Sequence, residues 1–219
     1  MKQIVKSKEP KSLTNYRASI TKTDLKNLKK YESSPKNVLD DLRKSLLEEQ
    51  GYICCYCMQR IEFRNTKIEH FKSRSGFREK QLDYNNLFIS CLGGEGSSPT
   101  KQFCDTKKGD RELNYINLLT DIESKIEYKK DGFIYSNDDN INNELNDILN
   151  LNYLVLKNNR RETLRSLYSE FKKIGWSNHS LKENIKKYQN KNSKGKYRPY
   201  CQMIVYFLTK KLKSKGVAI

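Results

Sequence analysis

Four cysteines between positions 54 and 104 have the spacing of a metal site. Two residues separate Cys54 from Cys57, so one tight turn can direct both thiolates at a single ion. A further 33 residues separate Cys57 from Cys91, and 12 separate Cys91 from Cys104. Four thiolates at about 2.3 Å suit zinc, and a closed four-cysteine site is structural rather than catalytic. The spacing therefore predicts a structural zinc site.

An acid–histidine pair, Glu69-His70, lies inside this cysteine frame. Hydrolysis of a phosphodiester needs a base for water and a cation for the charge that develops on phosphate. A histidine can accept a proton near neutral pH, and we predict that His70 is this base. Glu69 and Asp105 are the predicted ligands of Mg²⁺ or Mn²⁺, because a zinc bound by Cys104 would bring Asp105 close to His70. The alternative for His70 is a surface or capping histidine.

Basic residues near this pair are candidate contacts for nucleic acid. Lys108 follows Asp105 by one helical turn and could reach a substrate phosphate. Lys72 and Arg74 follow His70 and are predicted contacts as well.

Two other arrangements use some of the same residues. A two-cysteine, two-histidine finger would need a second histidine three to five residues after His70, but the other histidine of the chain is His179. A redox Cys-x-x-Cys pair would leave Cys91 and Cys104 unexplained. The two cysteines outside the spacing are predicted to pack in the core: Cys55 and Cys201.

Positive charge is concentrated in the last third of the chain. The whole chain has 43 Lys+Arg against 26 Asp+Glu, a formal net charge of +17. Residues 151–219 have 17 against 3, whereas the segment 111–150 is locally acidic. A one-sided basic field concentrates polyanions and speeds their encounter with the protein. The distribution favours a nucleic-acid partner, and the alternative is a merely solubilising, lysine-rich surface.

Composition and length limit the class of protein. In 219 residues, 36% are hydrophobic and 32% charged, which is typical of a folded, polar protein. No run approaches the ~18 apolar residues of a membrane helix, and the first residues lack an apolar signal core. We therefore expect a cytoplasmic protein without a membrane partner, in which reduced thiols favour metal over disulfides.

The elements that must position the candidate residues are predicted to be short. A helix begins at Ser34-Pro35, with the serine as its cap, and ends at Gly51. Before it, residues 1–20 are predicted to be irregular, with a short helix near 24–32. After it, the predictions are strands at 52–54 and 59–70, a short turn or helix within 83–90, a flexible loop at 93–99 and a helix at 104–111.

The rest of the chain is predicted to be mostly helical. Asp131-Gly132 marks the turn of a hairpin within 125–136. Helices are predicted over 141–149 and in the segment that ends at Gly175. A third helix is predicted to begin at a capping box on Ser180, and a fourth to begin at Pro199. A basic linker at 191–196 separates the last two. The predicted division is an N-terminal arm with helices (1–50), a metal-holding core (51–112), and a hairpin with a basic helical region (113–219).

The motifs resemble the HNH endonuclease pattern with its ββα-metal fold. The residues that carry the resemblance are Cys54-x-x-Cys57, Glu69-His70, Asn86-Leu87, Cys91 and Cys104-Asp105-x-x-Lys108. Segments 49–54, 57–61, 67–70, 82–87 and 104–110 are similar to the PtuB subfamily, the HNH effectors of Septu and some retron antiphage systems. The resemblance implies an α+β protein whose ββα-metal core is flanked by N-terminal helices and a mostly α-helical C-terminal region.

The resemblance also implies roles for individual residues. His70 would be the general base, Glu69 and Asp105 would bind the catalytic Mg²⁺ or Mn²⁺, and the four cysteines would hold the structural zinc. Asn86 would brace the loop carrying His70. Two departures stand out: Asp105 occupies the final histidine position, and Phe103 stands where relatives often have histidine.

The expected function is a metal-dependent endonuclease that cleaves invading DNA. The resemblance implies a partner, an ATPase of the ABC/SMC-related type similar to PtuA, which would license cleavage. One alternative is an RNA endonuclease, for example for tRNA, with the same site. Another is a non-catalytic zinc module that binds nucleic acid or a protein through its basic region.

Overall fold

An antiparallel ribbon of two strands organises the computed structural model of this chain. Strand β1 (Thr66–His70) pairs with β2 (Leu87–Cys91), so that Thr66 lies opposite Cys91 and His70 opposite Leu87. The next regular element, α4 (Cys104–Lys108), contacts β2. The order strand, strand, helix brings Cys91, Cys104 and the Glu69-His70 pair onto neighbouring elements. The structure describes residues 1–21, 23 and 29–217.

Helices precede and follow the ribbon along the chain, and a second small sheet follows it as well. In chain order the α-helices of the described residues are α1 (Lys11–Ala18), α2 (Lys29–Glu32), α3 (Lys36–Glu49), α4, α5 (Asp139–Asn143), α6 (Leu154–Ile174), α7 (Asn178–Gln189) and α8 (Cys201–Lys213). The second sheet pairs β3 (Glu127–Tyr128) with β4 (Ile134–Tyr135). Short 3₁₀ turns lie at Phe63–Asn65, Arg78–Lys80, Tyr84–Asn86 and Glu123–Lys125, and a π-helical turn, Glu144–Ile148, extends α5.

One hydrophobic core joins residues from all three predicted segments. It includes Leu46 of α3, Ile89 of β2 and Met203 of α8, all completely buried. The amide of Tyr200, just before α8, donates to the carbonyl of Met58 at 3.0 Å, beside the Cys54–Cys57 turn. The C-terminal helices therefore support the cysteine frame directly.

The structure corrects the predictions for the N-terminal segment. Residues 1–20 are not irregular throughout, because α1 begins after Pro10 and buries Leu13 against α3. Of the helix predicted near 24–32, residues 24–28 lie outside the described part, and 29–32 are helical. The helix predicted from Ser34-Pro35 is confirmed as α3, but Pro35 rather than Ser34 occupies its N-cap position.

The strands around the cysteine turn were placed incorrectly by the sequence pattern. The segment 52–60 has a single bridge between Ile53 and Arg60, and the strand that carries His70 begins at Thr66. Its partner, β2, occupies residues where a turn or helix was predicted; the turn is limited to Tyr84–Asn86. β2 is buried along its whole length, so it lacks the alternation that marks a half-exposed strand.

The C-terminal predictions are mostly confirmed. The hairpin, the helix that ends at Gly175 and the final core helix all form. The cap of α7 is Ser177, which accepts from the Ser180 amide at 3.0 Å, so the predicted Ser180 cap is wrong. Throughout residues 1–21, 23 and 29–217, no helix combines the length and apolar character needed to cross a bilayer.

Candidate metal centre and hydrolytic site

The four predicted zinc ligands converge. The sulfur atoms of Cys54, Cys57, Cys91 and Cys104 lie within 4.8 Å of one another, and all four side chains are buried. Cys54 Sγ is 3.9 Å from Cys104 Sγ, and Cys57 Sγ is 3.9 Å from Cys91 Sγ. Tetrahedral zinc at about 2.3 Å from sulfur requires sulfur–sulfur separations of about 3.8 Å. The cluster can therefore hold a metal ion such as zinc.

Local backbone geometry brings the thiols together. A tight turn returns the chain after Cys54, whose carbonyl accepts from the Met58 amide at 3.1 Å, with Met58 in the left-handed region at φ 61°. Between Cys91 and Cys104 the chain reverses at Gly93, whose carbonyl accepts from Phe103. A Cβ at Gly93 would collide with the backbone oxygen of Phe103. Glycine is required there because the two cysteine-bearing segments approach too closely for a side chain.

Four buried thiols cannot all ionise without a compensating cation. Burial raises the pKa of Cys57 and of Cys104 well above the ordinary value for a thiol. Burial also opposes ionisation of Cys54, but hydrogen bonds from Cys104 and the other neighbouring cysteines hold the pKa of Cys54 well below its ordinary value. Metal binding by cysteine requires the thiolate form, and the bound cation supplies the missing charge.

His70 ends β1 and is 8% exposed. Its Nε2 lies 3.0 Å from the carbonyl oxygen of Gln81, and its ring meets the Tyr31 ring edge-on with centroids 4.5 Å apart. A carbonyl only accepts hydrogen bonds, so the neutral ring carries its hydrogen on Nε2 and presents Nδ1 as an acceptor. Burial lowers the pKa of His70 to about 4. The imidazole is therefore neutral, and able to accept a proton, at pH 7.

Glu69 is buried next to His70, with 1% of its surface exposed. The Tyr56 hydroxyl donates to Glu69 Oε1 at 2.6 Å, and the Lys108 ammonium lies 3.1 Å from the same oxygen. Burial, followed by the charge of Asp105, raises the pKa of Glu69 well above its usual range. The charge of Asp105 thus opposes ionisation of Glu69, whereas the Lys108 ammonium favours it.

Asp105 completes this arrangement from the first turn of α4. With Glu69 and His70 it lines a pocket of about 270 Å³, and its side chain is 19% exposed. Lys67, from the same wall, pairs with Glu95 at 2.8 Å and lies 4.0 Å from Asp105 Oδ2. The pocket thus brings a neutral imidazole together with two carboxyl groups.

Asn86 has the position expected of a brace. It is 6% exposed, and its side-chain amide bonds to the backbone of Lys72 and of Lys80, which are near the two ends of the loop after His70. The Asn86 carbonyl accepts from the Phe71 amide at 2.9 Å. The side chain contacts the loop rather than the pocket, whose lining does not include it.

The three predicted nucleic-acid contacts have different surroundings. Lys108 is 1% exposed, and its ammonium contacts Glu69 Oε1 and donates to the carbonyls of His70 (3.0 Å) and Gly109 (3.4 Å). This placement contradicts the predicted phosphate contact, because the ammonium is buried and its three hydrogens have partners. Lys72 pairs with Glu112 at 2.9 Å, outside the pocket. Arg74 lines the pocket while its guanidinium pairs with Glu32.

Sequence reasoning missed three residues that position the pair. Tyr56 holds Glu69, Gln81 supplies the carbonyl that fixes the His70 ring, and Tyr31 packs against that ring. Tyr56 is the residue before Cys57, and its place inside the cysteine turn is the one signal that could have drawn attention to it. Gln81 acts through its backbone, for which the residue type gives no signal.

Comparison with protein-family models finds no match to this chain, and comparison with curated proteins finds no similar one.

Proposed function

We propose that this protein is a metal-dependent endonuclease of the HNH type. The observation that carries the proposal is the convergence of Glu69, His70 and Asp105 in one pocket next to a four-thiol cluster. The strand–strand–helix order of β1, β2 and α4 supports a ββα-metal core. A zinc ion in the thiol cluster would be structural, because four thiolates fill its tetrahedral coordination.

In the proposed mechanism, His70 takes a proton from the attacking water at Nδ1. The Gln81 carbonyl holds the opposite side of the ring, so the imidazole keeps one tautomer and one orientation during the transfer. Tyr56 and Lys108 hold Oε1 of Glu69, and Asp105 lies beside that carboxyl group. A divalent cation bound by Glu69 and Asp105 would stabilise charge on the phosphate and on the leaving oxygen. Lys67 and Arg74 also line the pocket, and each is paired with a glutamate that is more than half exposed.

DNA is the proposed substrate, and the basic C-terminal third supports a polyanionic one. The resemblance to PtuB effectors further supports a role in antiphage defence, together with an ATPase subunit of the ABC/SMC-related type. That partner is tested by co-expression with an ATPase similar to PtuA, followed by size-exclusion chromatography. Separate elution of the two chains would count against the complex without affecting the nuclease proposal.

The two histidines of the chain provide a matched test of the site. Supercoiled plasmid and total RNA are incubated with wild type, His70→Ala and His179→Ala, each with and without added Mg²⁺ or Mn²⁺. General-base catalysis contributes about 10²- to 10⁴-fold, so we expect His70→Ala to lose that much cleavage. His179 is exposed on α7, and its replacement is expected to have no effect.

Each outcome of this test has a definite meaning. Metal-dependent cutting of DNA that is lost in His70→Ala alone supports the proposal. Cleavage of RNA alone would support the same catalytic residues with RNA, rather than DNA, as the substrate. Equal cleavage by His70→Ala and His179→Ala would overturn the assignment of His70 as the base. Absence of cleavage with the ATPase present and zinc bound would also overturn the nuclease proposal, and a non-catalytic binding module would then be the better interpretation.

A further inference from the structure

A groove in the C-terminal region combines aromatic rings with lysines that have no carboxylate partner among the described residues, and we propose that it binds single-stranded nucleic acid. It has a volume of about 640 Å³ and lies between the β3–β4 hairpin, the end of α6 and α8. Four of its lining residues carry aromatic rings with exposed surface: Tyr135, Tyr168, Trp176 and Phe207. It shares no lining residue with the pocket that contains His70.

The charge of the groove matches a phosphate backbone. Five lysines line it, and all five are exposed: Lys129, Lys130, Lys172, Lys210 and Lys211. None of them forms an ion pair with a carboxylate within the described part of the chain. Among the described residues, no acidic side chain lines the groove. Lysines without a carboxylate partner attract phosphates, and the nucleic acid releases its condensed counterions on binding.

Two of the rings are held in place before any ligand arrives. Trp176 stacks on Phe171, with centroids 4.3 Å apart and an interplanar angle of 26°. The Tyr135 hydroxyl donates to Glu127 Oε2 at 3.0 Å, and Glu127 also accepts from Tyr206 at 3.0 Å. A fixed ring loses little conformational freedom when a base stacks on it, which favours binding.

The combination of rings and lysines favours a single strand over other polyanions. Proteins that bind single strands without sequence preference combine a basic groove with aromatic side chains on which bases stack. In a duplex the faces of the bases are covered by their neighbours, so these rings would have nothing to stack on. The inference does not depend on the proposed nuclease chemistry, because the groove and the His70 pocket are separate.

Trp176 provides a direct readout, since it is the only tryptophan in the chain. The full-length protein, as wild type and as His70→Ala, is titrated without added divalent cation, and tryptophan fluorescence is followed. The probes are ten-nucleotide oligo-dT and oligo-U, a duplex of equal length, and heparin as a polyanion without bases. We expect saturable quenching by either or both single strands and little quenching by duplex or heparin. Absence of quenching by both single strands, or equal quenching by heparin, overturns the proposal.

Matched variants locate the binding. Lys210→Gln/Lys211→Gln removes two charges from the groove, and Lys182→Gln/Lys186→Gln removes two exposed charges from α7 outside it. Two lost phosphate contacts lower the slope of log affinity against log salt by about 1.4. Tyr168→Ala should weaken single-strand binding about tenfold, and Tyr115→Ala, at an exposed tyrosine outside the groove, should not. Equal weakening by groove and control variants would overturn the proposal.

Discussion

The side chain of Asn86 bonds to both backbone polar groups of Lys72. Its Oδ1 accepts from the Lys72 amide at 2.7 Å, and its Nδ2 donates to the Lys72 carbonyl at 3.0 Å. Nδ2 also donates to the Lys80 carbonyl at 3.2 Å, one residue before the Gln81 carbonyl that holds the imidazole of His70. One buried amide thus fixes both the strand end that carries His70 and the partner of its ring.

Replacing Asn86 with aspartate tests this relationship with almost no change in shape. The substitution exchanges the Nδ2 donor for an oxygen that faces two carbonyl oxygens. We expect the free energy of unfolding to fall by about 3 kcal/mol, because buried acceptors lose their donor. Cleavage should fall at protein concentrations and temperatures at which the variant is still folded. Urea unfolding and plasmid cleavage measure the two effects.

Asn85→Asp is the control for Asn86→Asp, because Asn85 is the exposed neighbour in the same turn. Its unfolding free energy should change by less than about 0.5 kcal/mol. If the two variants were equally stable and equally active, the brace would not exist in solution.

The buried pair of Lys108 and Glu69 leads to a second prediction. Removing one member of a buried ion pair typically costs about 3–5 kcal/mol, because the other charge is left without compensation. Lys108→Met should therefore destabilise the protein by about that amount. Lys67→Met removes a 28%-exposed ammonium at the pocket and should change stability by less than about 1 kcal/mol while weakening substrate binding.

The measurements for the two lysine variants are urea unfolding and the dependence of cleavage rate on substrate concentration. A stable Lys108→Met protein with a raised KM would instead restore Lys108 as a phosphate contact. The present geometry argues against that result, since the Lys108 ammonium is 1% exposed.

The cysteine spacing and the acid–histidine pair were readable from the sequence because each depends on residue type and separation. The spacing of the four cysteines predicts that their thiols share one centre, and the convergence of these thiols is confirmed. The burial of Lys108 was not readable, because lysine is almost always a surface residue and its partner lies 39 positions away. Tertiary packing, rather than local sequence, decides such a placement.

Sequence patterns also gave wrong predictions where a strand and a helical turn have the same pattern of apolar residues. Leu87-Phe88-Ile89-Ser90-Cys91 is a short, mostly apolar run, which suits a buried strand or a turn of helix equally well. In α6, Tyr168 and Ile174 follow the buried Leu164 and Phe171 at helical spacing, yet they are 36% and 50% exposed. Tyr168 belongs instead to the groove, which forms only when the hairpin, α6 and α8 come together.

Zinc binding by the four-cysteine cluster gives a third prediction. Purified protein should contain one zinc per chain, measured by inductively coupled plasma mass spectrometry. Cys91→Ser should lose most of this zinc and unfold at lower temperature, because structural zinc contributes on the order of 10 kcal/mol to folding. Cys55→Ala is the control: Cys55 is equally buried but lies outside the four-thiol set. Retention of zinc in Cys91→Ser would contradict the assignment.

The pH dependence of cleavage would test the roles proposed for Glu69 and His70. Burial raises the pKa of Glu69 well above its usual range, whereas burial lowers the pKa of His70 to about 4. As pH falls, protonation of Glu69 therefore precedes that of His70. A cation needs the ionised carboxylate, so protons and Mg²⁺ compete, and raising the Mg²⁺ concentration should move the acid limb of the rate profile to lower pH.

Tyr56→Phe should move this limb in the opposite direction. The hydrogen bond from the Tyr56 hydroxyl lowers the pKa of Glu69, so its loss raises that pKa and shifts the acid limb to higher pH at fixed Mg²⁺. Tyr84→Phe is the control, because the Tyr84 hydroxyl donates to Glu49 at 3.0 Å and lies outside the pocket. Rates measured from pH 4.5 to 8 at several Mg²⁺ concentrations decide the matter. A limb fixed near pH 6.5 in every case would indicate an ordinary, exposed imidazole as the titrating group.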